Sequence, residues 1–526
     1  MGEIMKAIGN INSAINDIIW LKIGIFLMIG TGIFLTVITK FFQVTHIGHW
    51  LKETLCSLFK KSSHASSDGS VTQFQAMCAA LAATLGVGNI AGVADAIVIG
   101  GPGAVFWMWV AAFFGMMTGY SENLLGVYFR RKNDNGEWSG GAMYYLKHGL
   151  GSINFKSAVA ASFMKKLGNT LAVLFAVFCL FASLGIGNMG QVDKIVANIE
   201  WAFKIEALSS RVIYSSGGQS VTLYSLLIGL AVMLAAGMII LGGIKRIASF
   251  TEKIVPVMVI IFLAGSFFII LMNSGKLTEA LMSIFVSAFN PRAVFGGCCG
   301  MTISKVISSG FKRGVFSNEA GLGSSTIIGS SANVKEPVKQ GMWSIFQIFV
   351  DTIVMCTITA LTILTSGVYD LQSGAITEEG ATGSTLVAAA FNRSIPSGEI
   401  DFGGMFVAVA IFLFAFSTII GWSHYGAKAF EFLFGPKCTV VYKILFVATI
   451  VLGAITTSSI AWEISDTFNG LMMIPNLIGI VFLSKTIIRV TKNYTDRRFK
   501  NKDIRPLLSH HKDIQNQLEA ELYLEK

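Results

Sequence analysis

Residues Thr72–Gly103 read TQFQAMCAALAATLGVGNIAGVADAIVIGGPG, and this stretch decides the fold. It is apolar and long enough to cross a bilayer, which takes roughly 20 mostly apolar residues. At its centre stands Gly86-Val87-Gly88-Asn89, with Gly92 close behind. Each glycine costs a helix interior about 1 kcal/mol relative to alanine, so the helix is weakest at mid-depth. Two readings of that weakness stand. A glycine-lined crossing uses small residues to bring two helices close together. A broken helix instead offers amides of its second half to an anion and carbonyls of its first half to a cation. Unwound backbone of that kind is tolerated only inside protein or along a polar cavity.

Outward from this stretch, composition identifies the solvent. The 526-residue chain is 53% hydrophobic and only 13% charged, with a mean hydropathy of +0.65. Soluble domains carry about 25% charged residues, so the chain reads as an all-α polytopic membrane protein lying in a lipid bilayer. Successive apolar runs give eleven spans, near 20–42, 74–100, 104–129, 168–199, 220–242, 249–272, 291–311, 340–366, 403–432, 438–456 and 460–490. They leave no room for a large soluble domain.

The formal charge of +10 does not make a nucleic-acid surface, because the basic residues lie in alternate connections. Lys52, Lys60 and Lys61 follow the first span, Arg130, Arg131 and Lys132 the third, and Lys245 and Arg246 the fifth. Lys312, Arg313, Lys335 and Lys339 are read as following the seventh. Lys and Arg accumulate in cytoplasmic loops, which puts the N-terminus outside and the C-terminus in the cytoplasm. The seven cysteines show neither metal-ligand nor paired spacing. The first apolar run is too long for the core of a cleavable signal.

Three further stretches are specific. Gly100–Gly115 reads GGPGAVFWMWVAAFFG, preceded by Gly86–Gly92, GVGNIAG, and followed much later by Arg313–Gly323, RGVFSNEAGLG. Together they closely resemble the signatures of the alanine or glycine:cation symporter family, and the resemblance covers nearly the whole chain. It implies a LeuT-type fold: a five-plus-five inverted repeat with two broken helices, plus one extra N-terminal helix. The corresponding division is 1–73 for an N-terminal segment with a peripheral helix, 74–273 and 274–492 for the two repeats, and 493–526 for a cytoplasmic tail. Inverted repeats call for a second glycine-interrupted span five helices after the first. The seventh span offers Phe295-Gly296-Gly297-Cys298-Cys299-Gly300-Met301-Thr302 at that place. Residues 314–332 then read as a short cytoplasmic amphipathic helix capped at Ser317, and 385–392 as a helical lid on the outer side.

Polar groups within spans have two readings each. Gln191 is costly in hydrocarbon unless it faces the bundle interior, either touching substrate or bonding a neighbouring helix. Asp193 and Lys194, nearer the outer end, read as an interface pair or a gate. Ser417 and Thr418 could simply bond their own helix, as hydroxyls in apolar helices do. The resemblance implies instead that they complete a Na⁺ site with the carbonyls of Ala82 and Leu85. Oxygen ligands suit a hard cation of this kind. Trp422, one turn beyond Thr418, reads as a cavity wall or as core packing. Glu122 and Glu463 are expected close enough to the interfaces to be wetted.

The function that the resemblance implies is sodium-coupled symport of a small neutral amino acid, alanine or glycine, with Na⁺ as coupling ion and no organic cofactor. The substrate carboxylate would meet the amides of Val87 and Gly88. Asn89 and Gln191 would orient its polar groups, with Thr418 and Trp422 lining the site. Backbone around Gly297, Cys298 and Gly300 would receive the ammonium. A proton-coupled symporter is the alternative. A passive channel would show a continuous polar stripe, and a receptor would need a signalling domain that the tail is too short to supply. No nucleophile–base pair or His/Glu metal spacing suggests an enzyme, and no protein partner is evident.

Overall fold

The computed structural model describes residues 2–59, 71–153, 156–216, 219–290, 302–395, 401–456 and 459–524. Among these, nine helices are long and apolar enough to cross a membrane, and the chain is a multi-pass membrane protein. They are α1 (Gly9–Ile38), α4 (Gly103–Tyr128), α5 (Ala158–Ala202), α6 (Leu223–Ile240), α7 (Gly243–Met272), α11 (Pro337–Ser366), α13 (Phe402–Phe434), α14 (Pro436–Ile455) and α15 (Glu463–Phe482). Two further segments each consist of a helix, a non-helical stretch and a second helix. The first is α2 (Gln73–Thr84) and α3 (Ala91–Gly100), the second α9 (Ile303–Asn318) and α10 (Ser325–Gly329). Smaller helices are α8 (Leu277–Phe289), α12 (Gly383–Ser394), α16 (Ser484–Phe499) and α17 (Lys512–Leu524). Two antiparallel hairpins, β1 (Arg131–Lys132) with β2 (Trp138–Ser139) and β3 (Val212–Ser216) with β4 (Gln219–Thr222), sit on opposite faces.

Local chemistry sets the ends of these elements. Thr72 caps α2 reciprocally with Gln75, each side chain taking the other's backbone amide at 3.0–3.1 Å. Asp401 caps α13 through the Gly404 amide at 2.7 Å. On one face the tail docks: the His510 amide reaches the Tyr128 carbonyl at 2.9 Å, and Trp138 packs against Leu508, Ile514 and Leu518. On the other face α12 lies over α3.

The structure corrects the sequence reading in three places, and one expectation, the interruption at Gly296–Gly300, lies outside the described residues. The second interruption among the described residues, which the sequence reading did not expect, stands at Glu319–Ser324, between α9 and α10. Glu319, Gly321 and Gly323 all have φ between 57° and 92° there, a conformation that ends a helix. Residues 317–332 are accordingly buried throughout rather than forming a surface amphipathic helix. Lys312 and Arg313 belong to α9, where they pair with Asp466 and Asp95 on the face away from the tail. Glu122 is completely buried rather than wetted, whereas Glu463 is exposed.

Helices α4 and α9 approach so closely that a Cβ at Gly310 would lie 2.4 Å from the Ala104 carbonyl oxygen and 2.6 Å from Trp107 Cβ. Backbone cannot yield there as a side chain would. Gly310→Ala should therefore lose roughly 1–3 kcal/mol to overpacking, read as a lower thermal midpoint of the purified protein. Gly48→Ala, in an exposed helix with nothing within 4 Å of the added methyl, should leave it unchanged or raise it.

Candidate functional site

The first interruption begins where the Gly86 amide turns back to the Thr84 carbonyl at 2.8 Å and to Asn89 Oδ1 at 3.2 Å. The amides of Val87 and Gly88 donate to no acceptor among the described residues. On the other side of the break, the carbonyls of Ala82 and Leu85 face α13. Thr418 Oγ1 lies 3.1 Å from the Ala82 oxygen and 3.4 Å from that of Leu85, and Ser417 Oγ lies 3.4 Å from Ala82. Both hydroxyls also reach the Phe414 carbonyl of their own helix, at 2.8 and 3.0 Å. A hydroxyl has one proton. If it is donated to Phe414, the oxygens facing Ala82 and Leu85 meet as lone pairs, an arrangement that a cation relieves. Ligands roughly 2.3–2.6 Å from a hard cation and at right angles to each other stand about 3.4 Å apart, which matches these spacings. Gly421 makes the approach possible, since a Cβ there would sit 2.8 Å from Ala83 Cα.

Above these oxygens the walls are well defined. A Cβ on Gly86 would meet Thr418 Oγ1 at 2.8 Å and Gln191 Oε1 at 3.4 Å, so both polar atoms face the break. Gln191 donates through Nε2 to the Ile186 carbonyl at 3.1 Å, while its buried Oε1 has no partner among the described residues. The Phe316 ring closes on Gly88, 3.1 Å from where a Cβ would stand, and the Trp422 ring closes on Gly187 at 2.4 Å.

Asn89 is bonded to the protein at both ends. Its Oδ1 holds the Gly86 amide, and its Nδ2 donates to Ser317 Oγ at 2.8 Å and to the Asp351 carbonyl at 3.2 Å. Asn89 thereby clasps the first interruption to α9 and α11. Ser317 in turn donates to the Asp351 carboxylate.

The second interruption is held by residues whose role was not read from the sequence. Glu122 of α4 accepts from Asn476 Nδ2 at 2.5 Å and from the Gly323 amide at 3.1 Å, and Asn476 also donates to the Gly321 carbonyl at 2.8 Å. Tyr145 donates to Asn476 Oδ1. Glu319 accepts from Ser324 Oγ at 2.5 Å. The signal was present in SNEAGLG, where an acid and two glycines in close succession mark a buried turn as readily as a helix cap. Gly297, Cys298 and Gly300 lie outside the described residues.

Charge pairs bound the chamber on both sides. Asp95 of α3 meets Arg313 of α9 at 3.2 Å, with Asp193 and Lys194 paired at 3.1 Å nearby. Toward the tail face, buried Lys428 pairs with Glu431 at 2.8 Å and Glu137 at 3.3 Å. Buried Arg130 donates to the carbonyls of Ser330, Ala332 and Val334 at 2.6–2.9 Å, holding the chain that follows α10.

Comparison with known proteins places these features. The sequence model of the sodium:alanine symporter family matches residues 5–507. The sodium/alanine symporter AgcS of Methanococcus maripaludis is 40% identical over 486 residues, 92% of this chain and 97% of that protein. GlnT of Bacillus subtilis, described as a probable sodium/glutamine symporter, is 33% identical over 504 residues, 95% of this chain and 94% of that protein. Among solved structures, MhsT in complex with L-phenylalanine aligns with a TM-score of 0.48 at 12% identity, covering 81% of this chain and 99% of that one.

If Asn89 is a clasp, Asn89→Ala strips donors from buried Ser317 and Asp351 and should cost about 1–3 kcal/mol. Asn89→Asp should be at least as damaging, because it adds a carboxylate beside Asp351 and removes the amide donor. Thermal unfolding of the purified variants checks both, and a wild-type midpoint for Asn89→Ala would contradict the clasp.

Proposed function

The chain belongs to the sodium:alanine symporter family, and from that premise we propose that it imports a small neutral amino acid, alanine or glycine, driven by a Na⁺ gradient. One observation carries the coupling: four oxygens, from Ala82, Leu85, Ser417 and Thr418, converge at 3.1–3.4 Å across the first interruption. Na⁺ seated there would add its field to the open amides of Val87 and Gly88, where the amino acid's carboxylate binds. Ion and substrate then stabilise each other through the same few residues of backbone.

Gln191 Oε1, an unpaired acceptor facing Gly86, takes the ammonium. Backbone around Gly297, Cys298 and Gly300, outside the described residues, is the further partner proposed for the ammonium. Phe316 and Trp422 limit the side chain to about a methyl group, which favours alanine or glycine over a side chain as long as glutamine's. The protein moves its solute without making or breaking a bond.

Counting the two interrupted segments as crossings gives eleven. Leaving out α1, they fall into two sets of five that each begin with an interrupted segment, α2–α3 and α9–α10, in support of the inverted repeat. The N-terminus lies outside and the C-terminal tail in the cytoplasm. Rocking of one set against the other alternates access. Arg313–Asp95 must part to open the outer side, and the ties at Lys428 and Arg130 must loosen to open the inner one.

The test is labelled alanine uptake into proteoliposomes. An inward Na⁺ gradient should accumulate alanine, and the same gradient of choline should not. Ser417→Ala combined with Thr418→Val removes two oxygen ligands from the ion and should raise the Na⁺ concentration for half-maximal uptake by about tenfold or more. High Na⁺ should restore much of the rate. An unaltered Na⁺ dependence would mean that these hydroxyls serve only the Phe414 carbonyl.

A further inference from the structure

Three carboxylates lie in the middle of the bundle: Glu122 and Asp351, each 0% exposed, and Glu319, 4% exposed. None of them pairs with a Lys, Arg or His among the described residues. Asp351 is tied to Ser317 and Thr352. Glu122 and Glu319 differ in that both hold the second interruption at adjacent residues, Glu122 through the Gly323 amide and Glu319 through Ser324 Oγ. Glu122 spends Oε1 on Asn476 and Gly323, but its Oε2 is buried without a partner. The Tyr425 hydroxyl, also fully buried and without a partner, stands within electrostatic reach of both carboxylates. The other titratable groups facing the pair are Asp351, Tyr145 and Cys179, which supply no positive charge.

An isolated buried carboxylate is far too costly to keep ionised, and two at one turn are costlier. Something positive must join them. We propose that Glu122, Glu319 and the Tyr425 hydroxyl form a second cation site, which takes up one H⁺ or one Na⁺ in each transport cycle. It rests on the symport reading above and adds to the Na⁺ at Ala82 and Leu85. The site connects to the substrate through Trp422, whose ring lies 5.3 Å from that of Tyr425, centroid to centroid, and packs on Gly187. Its occupancy therefore sets the position of the chamber wall.

Alanine is a neutral zwitterion, so the charge moved per alanine counts the cations. In wild-type proteoliposomes the membrane potential that just stops alanine flux should report two charges per alanine. Glu122→Gln and Glu319→Gln should each report one. With a tenfold Na⁺ gradient and no potential, two coupled Na⁺ support about 100-fold accumulation and one supports about tenfold. If the second cation is H⁺, wild type falls near tenfold there, and an added inward pH gradient increases it in wild type but not in the variants. Wild type moving a single charge per alanine would overturn the proposal even if neither variant folds. So would folded variants, judged by Na⁺-dependent alanine binding in detergent, that still move two. Wild-type uptake that ignores a Na⁺ gradient altogether would instead refute the symport reading.

Discussion

A backbone group that leaves a helix inside a bilayer has no water to bond, and each one left unsatisfied costs several kcal/mol. This chain places two such stretches, Leu85–Ile90 and Glu319–Ser324, in the middle of an apolar bundle, and the surrounding helices are arranged to satisfy them. Asn89 closes the first stretch on itself and clasps it to Ser317 and Asp351. Glu122 and Asn476 do the same for the second. What the protein leaves open is selective: the amides of Val87 and Gly88, the carbonyls of Ala82 and Leu85, and Gln191 Oε1. Those groups match the carboxylate of an amino acid, a hard cation and an ammonium in turn.

The two stretches are also joined to each other. Asn89 reaches Ser317 at the end of α9, two residues before the second stretch begins. A change at either break therefore meets the other through one or two side chains. The packing allows little slack, since Gly421 against Ala83 and Gly187 against Trp422 leave no room for a methyl group. Interfaces of this kind move between discrete arrangements rather than deforming continuously, as an alternating-access cycle requires.

Much of this was legible in the sequence. Mid-span Gly86 and Gly88 marked the helix as weakest where it breaks, and the family resemblance, rather than the spacing of Ser417 and Thr418, set two hydroxyls opposite it. The interruption at Glu319–Ser324 was not read, because SNEAGLG, where the chain turns left-handed at Glu319 as well as at two glycines, also reads as a helix cap. Helix propensity counts glycines; it does not register that a buried acid on another helix, Glu122, can stabilise an interruption. Lys312 and Arg313 misled for a related reason. Their charges look like a loop until Asp466 and Asp95, distant in sequence, are found beside them. The partners of Asn89 within the protein were not legible, because they lie more than two hundred residues away in sequence.

The central claim is that cation and amino acid meet at one interruption and each strengthens the other's binding. Linkage makes this measurable without transport, because the factor by which alanine tightens Na⁺ must equal the factor by which Na⁺ tightens alanine. Titration calorimetry on the purified protein gives both, with Na⁺ titrated in the absence and presence of saturating alanine, and alanine titrated in choline and in Na⁺. The account predicts equal factors well above one in the wild type, and factors close to one in the Ser417→Ala, Thr418→Val double variant. Na⁺ affinity that is indifferent to alanine in the wild type would contradict it.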